Sequence, residues 1–142
     1  MLHRTYAVVV TAPDFPCVTE VERPEDLLRL PLIGSATQWP GAWMLRHGDG
    51  REVVLSPEPP LRLGSPLAMR DAVMAGAGTA MLPTLLAGLD NAAGRLFHVL
   101  LGWTSPFKPI QLVYSSAQSM TARLRALIDW RAREMCGLDP MR

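Results

Sequence analysis

The stretch "LRLGSPLAMRDAVMAGAGTAMLP", residues 61–83, constrains the fold more than any other part of the chain. Residues 61–64 read as a short strand that stops at Gly64. Ser65 is a favoured helix N-cap, and Pro66 suits the first helical position, where its missing N–H has no partner to lose. Leu67, Val73 and Met74 put an apolar side at helical spacing, beside the small residues Ala68 and Ala72. Gly76 or Gly78 can adopt the left-handed geometry that ends a helix. Residues 79–83 then form a short buried strand. Strand, helix and strand in immediate succession imply an α/β fold.

The flanking sequence repeats that alternation. Residues 5–11, "TYAVVVT", are β-branched and form a buried strand. In "ERPEDLLRL" (22–30), Pro24 followed by Glu25 and Asp26 favours a short helix, because acids suit the positive helix end. Residues 31–35 form a strand. Residues 42–56 form a hairpin turning at Asp49-Gly50, where positive φ is available. Residues 84–100 give a helix, a turn at Gly94 and a strand, and 109–115 give another strand. Residues 121–135 form an amphipathic helix capped by Thr121, with Leu124, Leu127, Ile128 and Met135 on one face.

Composition closes off several functions. Fourteen basic residues face 13 acidic ones, for a net charge of +1, so there is no electrostatic footprint for nucleic acid or an anionic membrane. The apolar run 6–10 is too short and too β-branched for a signal peptide or membrane span, which places the protein in the cytoplasm. Cys17 and Cys136 lie near opposite ends and lack metal or redox spacing, so they read as free thiols. His3, His47 and His98 are dispersed, with no short metal pattern. "GAG" at 76–78 leaves a helix and enters a strand, the reverse of a dinucleotide loop. No nucleophile elbow is present. Trp39, Trp43, Trp103 and Trp130 read as packing residues. The expectation is a protein that is not an enzyme, with no catalytic residue, no metal and no cofactor.

Four short polar residues stand where strands end or helices begin: Thr11, Ser35, Thr37 and Ser65. Taken singly, each is a cap or turn residue. As a group they point to a small-molecule site, since α/β folds bind ligands outside strand ends and helix N-termini attract anions.

The order of motifs resembles the effector-binding region of LysR-type transcriptional regulators. The similarity runs through "VVVTAP" (8–13), "RPEDL" (23–27), Trp43, the hairpin at Asp49-Gly50 and "LRLGSPLAMRDAVMAGAGTAMLP" (61–83). It continues through "AAGRLFHVLLGW" (92–103), "IQLVYSS" (110–116) and "TARLRALIDW" (121–130). The resemblance implies a fold like a type 2 periplasmic binding protein, with two α/β lobes around a ligand cleft. Lobe two, with a mixed sheet and flanking helices, would span about 12–108. Residues 1–11 and 109–136 would be the remnant of an incomplete lobe one, carrying the returning strand and the final helix. The helix-turn-helix, the linker helix and the first half of lobe one have no counterpart in these motifs, so the chain reads as a truncated regulator.

The implied function is sensing of a small-molecule effector, a carboxylate or other small anion. Its contacts would be Thr11, Ser35, Thr37, Ser65 and Pro66, with the start of the central helix facing the cleft. DNA would be reached only through the missing helix-turn-helix, and homo-oligomers are expected. A transport-type solute-binding protein of the same fold, a small enzyme on that fold and a non-functional truncated regulator are the competing readings.

Overall fold

Val8, Val9 and Val10 lie at the centre of the structure, a computed structural model that describes residues 3–37, 41–111, 113 and 120–136. They belong to β2 (Ala7–Thr11), which is preceded by β1 (His3–Thr5). Two 3-10 helices follow, Val18–Glu20 and Pro24–Arg29. Next come β3 (Leu32–Ser35), the hairpin β4 (Trp43–His47) and β5 (Glu52–Leu55), and β6 (Leu61–Leu63). Helix α1 (Pro66–Met74), β7 (Thr79–Pro83) and α2 (Thr84–Ala92) complete the central unit. The chain ends through β8 (Phe97–His98), β9 (Trp103–Thr104), β10 (Lys108–Ile110) and α3 (Ala122–Cys136).

The main sheet has the order β6-β3-β7-β2-β8. It is mixed: β3 runs parallel to β6 and β7, whereas β2 runs antiparallel to β7 and β8. Both faces are covered, which is why β2 is an unbroken apolar run and not an alternating one. Val8, Val10, Ile33, Ala80 and Leu82 pack against Met69 and Val73 of α1 and Ala87 of α2. On the other face Val9 meets Leu27, Leu45, Leu55, Val99, Leu100 and Trp103. Leu45 and Leu55 reach that core from the hairpin, which pairs with β9 to make a second, three-stranded sheet.

Four expectations need correction or qualification. Leu67 is 55% exposed; the buried side of α1 is Met69 and Val73. At 3.6 residues per turn, Leu67 points about 200° away from Met69. Secondly, β2 lies within the main sheet, so residues 7–11 belong with the central body and not with the outer strands. The outer part begins one strand earlier, where β1 pairs antiparallel with β10 in a separate two-stranded ribbon. Thirdly, the expected strand 109–115 is described only at its start, since residues 112 and 114–119, like Trp39, lie outside the described residues. Finally, α3 forms from its Thr121 cap, whose Oγ1 accepts the Leu124 N–H at 3.2 Å, but Leu127 is 52% exposed.

Candidate functional site

Strand direction sorts the short polar residues into two groups. Because β3, β6 and β7 are parallel, their carboxyl ends share one edge of the sheet, and α1 and α2 both begin there. Ser35 pairs in register with Leu63, and the Ala36 N–H donates to the Leu63 carbonyl at 2.9 Å. Ser65 stands two residues beyond Leu63. Its Oγ accepts the Leu67 N–H at 3.2 Å, and Pro66 occupies the first turn. The Ser35 and Thr37 hydroxyls are 3.0 Å apart. Ser35, Thr37, Ser65 and Pro66 therefore stand at the same edge of the sheet.

Thr11 is not among them. The antiparallel course of β2 sets Val10 opposite Ala80 and Thr11 opposite Phe97, at the start of β7 and the far end of the sheet. Thr11 is fully buried there, with an unpartnered Oγ1. The carboxyl end of β2 lies at the opposite edge from those of β3, β6 and β7 because β2 runs antiparallel to β7.

Three residues at this edge escaped the sequence reading. Thr84 opens α2 and is 4% exposed; its N–H donates to the Tyr6 carbonyl at 2.8 Å, and its Oγ1 is 3.5 Å from that of Thr5. Ser105 fastens the point where the chain passes from the ribbon into the main sheet. Its Oγ accepts the Ala7 N–H at 2.8 Å and donates to the Pro106 carbonyl at 2.9 Å. Its own N–H donates to the Ala7 carbonyl at 2.8 Å. Pro83 before an apolar run was a legible signal for the start of α2, but contacts between residues 5 and 84 have no local signature.

The two helices that begin at this edge bring no acid to it in their first turns. The 3-10 helix Pro24–Arg29, by contrast, carries Glu25 and Asp26. Asp26 accepts the Arg23 N–H, which holds its carboxyl below the ordinary value. A first turn without acids leaves the positive helix end uncompensated, which favours an anionic group there.

The remaining titratable clusters lie elsewhere. His47 contacts Asp49 at 3.0 Å on the hairpin, with its ring centroid 5.1 Å from that of Trp103. Asp49 is held down to about 2, chiefly by the Arg51 N–H. Burial lowers the pKa of His98. Among the described residues no three His, Cys, Asp or Glu side chains gather to hold a metal ion. Asp90, 1% exposed, joins Arg70 of α1 to Arg95. Two cavities of about 330 Å³ each open at the far end of the sheet, where Val18, Thr19 and Phe97 line both.

The LysR substrate binding domain matches residues 2–136 of the chain. The HTH-type transcriptional regulator PtxR of Pseudomonas aeruginosa is 34% identical over 137 residues, which is 95% of this chain and 43% of PtxR. The chain thus spans less than half the length of that relative. Among solved structures, the regulatory domain of AphB from Vibrio vulnificus, treated with cumene hydroperoxide, superimposes with a TM-score of 0.77 at 20% identity. That match covers 93% of this chain and 66% of the AphB domain. The CrgA regulatory domain from Neisseria meningitidis gives 0.75 at 22% identity, covering 94% and 66%. Full-length AphB from Vibrio cholerae gives 0.74 at 20%, covering 94% of this chain and 46% of that one. At these identities the structures establish a shared fold.

Proposed function

This chain belongs to the LysR substrate-binding domain family, and from that premise we propose that it forms one wall of the effector site of a LysR-type transcriptional regulator. The effector is a small carboxylate or similar anion. Ser35, Thr37, Ser65 and Pro66 contact it; Thr11, at the far end of the sheet, does not. One observation carries this reading: two helices open, without first-turn acids, on the sheet edge beside the passage from the main sheet to the ribbon. No chemistry is required of such a site. Binding has only to favour one arrangement of domains or subunits over another.

In this reading the protein works in the cytoplasm as a homo-oligomer, and DNA is contacted by residues outside the matched stretch. Among the described residues no helix is long and apolar enough to cross a membrane. The test is a titration of the isotopically labelled chain with acetate, benzoate and succinate, followed by amide chemical shifts. Shifts should cluster at residues 35–37, 65–67 and 84. Shifts clustering instead at residues 18–22 and 97–103 would move the site to the other end of the sheet.

A further inference from the structure

The geometry points to Lys108 as the cation that reads the anionic group of the effector, a role that rests on the effector-site reading above. Lys108 pairs directly with Thr5 across the ribbon. In an antiparallel pair, directly opposed side chains leave the same face, with Cβ atoms about 4.5–5.5 Å apart. The Thr5 hydroxyl lies 3.5 Å from that of Thr84. The face of the ribbon that carries Lys108 is therefore the face turned toward the start of α2. Lys108 is exposed, and its ammonium has no ion-pair partner among the described residues.

The neighbouring cation does not compete for this role. Arg4 alternates with Thr5 along β1, so it leaves the opposite face, where its guanidinium lies 4.6 Å from the Phe107 ring centroid. The Thr5 hydroxyl donates to the Tyr6 carbonyl at 3.4 Å and stands 3.5 Å from the Thr84 hydroxyl. Both contacts are long for O–H···O hydrogen bonds, so a carboxylate oxygen can take over one of these protons, and Lys108 supplies the countercharge. Lysine suits the task because its ammonium is a mobile point charge on a flexible stem. The chemical class this selects is a small molecule with at least one carboxylate, bound between ribbon and α2.

Lys108 is the only lysine in the chain, which makes it a clean probe. Reductive methylation with ¹³C-formaldehyde labels Lys108 and the α-amino group alone and keeps both charges. The labelled chain is titrated with acetate, benzoate and succinate at constant ionic strength, with benzamide as the neutral counterpart. At least one carboxylate should shift the Lys108 methyl signal saturably, in step with the amides of Thr84 and Leu67, and benzamide should leave it in place. Lys108→Gln should weaken that carboxylate roughly tenfold, as for loss of one charge-assisted hydrogen bond, and Lys108→Arg should retain most of the affinity. If a carboxylate moves the amides at 65–67 and 84 but leaves the Lys108 signal still and binds Lys108→Gln equally well, the role of Lys108 is refuted and the effector edge stands. If no carboxylate moves either set, both fall together.

Discussion

The amide of Ala7 donates to the Ser105 hydroxyl at 2.8 Å, and the amide of Ser105 donates back to the Ala7 carbonyl at 2.8 Å. The next residue, Pro106, has no N–H to offer. A side chain thus completes what backbone pairing would otherwise do where two strands pass from the main sheet into the ribbon. Ser105→Ala leaves the Ala7 N–H without an acceptor in a part-buried setting. The expected loss is about 1–2 kcal/mol in urea unfolding. Hydrogen exchange at Ala7 should rise more than at Val9, whose neighbours are untouched. Equal rises at both would show global destabilisation and no special role at the crossing.

Asp90 makes the acid limb of stability predictable in sign. Its carboxylate is buried between Arg70 and Arg95, and the hydrogen bond from Arg70 is the main cause that holds its pKa below the ordinary 3.8. A carboxylate depressed on folding contributes stability that is complete above its unfolded value. That contribution is lost as pH falls from 3.8 through the folded value. Asp90→Asn should therefore destabilise the chain by about 1–3 kcal/mol at pH 7. It should also flatten the decline in melting temperature below pH 4. A variant with the wild-type acid limb would place the acid-labile group elsewhere.

Helix α3 buries no side chain among its described residues; Leu124, Ile128, Ala132 and Met135 are half-buried, and Trp130 is 48% exposed. Most helical stability in proteins comes from packing an apolar face, and an isolated helix of this length is marginal in water. Amides from 124 to 135 should exchange faster than those of Val8–Val10 by several orders of magnitude, as expected when opening is local. Comparable protection in the two segments would require a cover for α3, most simply another copy of the chain, and sedimentation would then show it.

Much of this architecture was legible because local rules agreed with it. Ser65 caps α1, Gly76 closes it at φ +83°, and Gly50 turns the hairpin at φ +96°, each as backbone chemistry requires. The sense of β2 was not legible. An apolar run such as "AVVV" specifies burial on both faces and says nothing about direction, and Thr11 was misplaced for that reason alone. Leu67 misled because an apolar residue in a first turn fits the helical pattern, whereas the sheet receives the face of Met69 and Val73. Thr5, Thr84 and Ser105 escaped because their meaning lies in contacts between residues 79 and 98 positions apart.

Ser65 has two possible employments, and a pair of substitutions separates them. Its hydroxyl accepts the Leu67 N–H at 3.2 Å, the geometry of a helix cap. Replacement by Ala should cost about 0.5–2 kcal/mol, and replacement by Gly only a few tenths, because Gly is itself tolerated at a cap. A melting curve therefore registers Ala and largely ignores Gly. Both variants remove the hydroxyl from the edge shared with Ser35 and Thr37. If that hydroxyl also touches the effector, Ser65→Gly should weaken carboxylate binding several-fold, in line with loss of a hydrogen bond of about 1 kcal/mol, while the melting temperature stays nearly constant. Calorimetric titration of the Gly variant decides between the two: unchanged affinity assigns Ser65 to the cap alone and leaves Ser35 and Thr37 as the hydroxyls of the site.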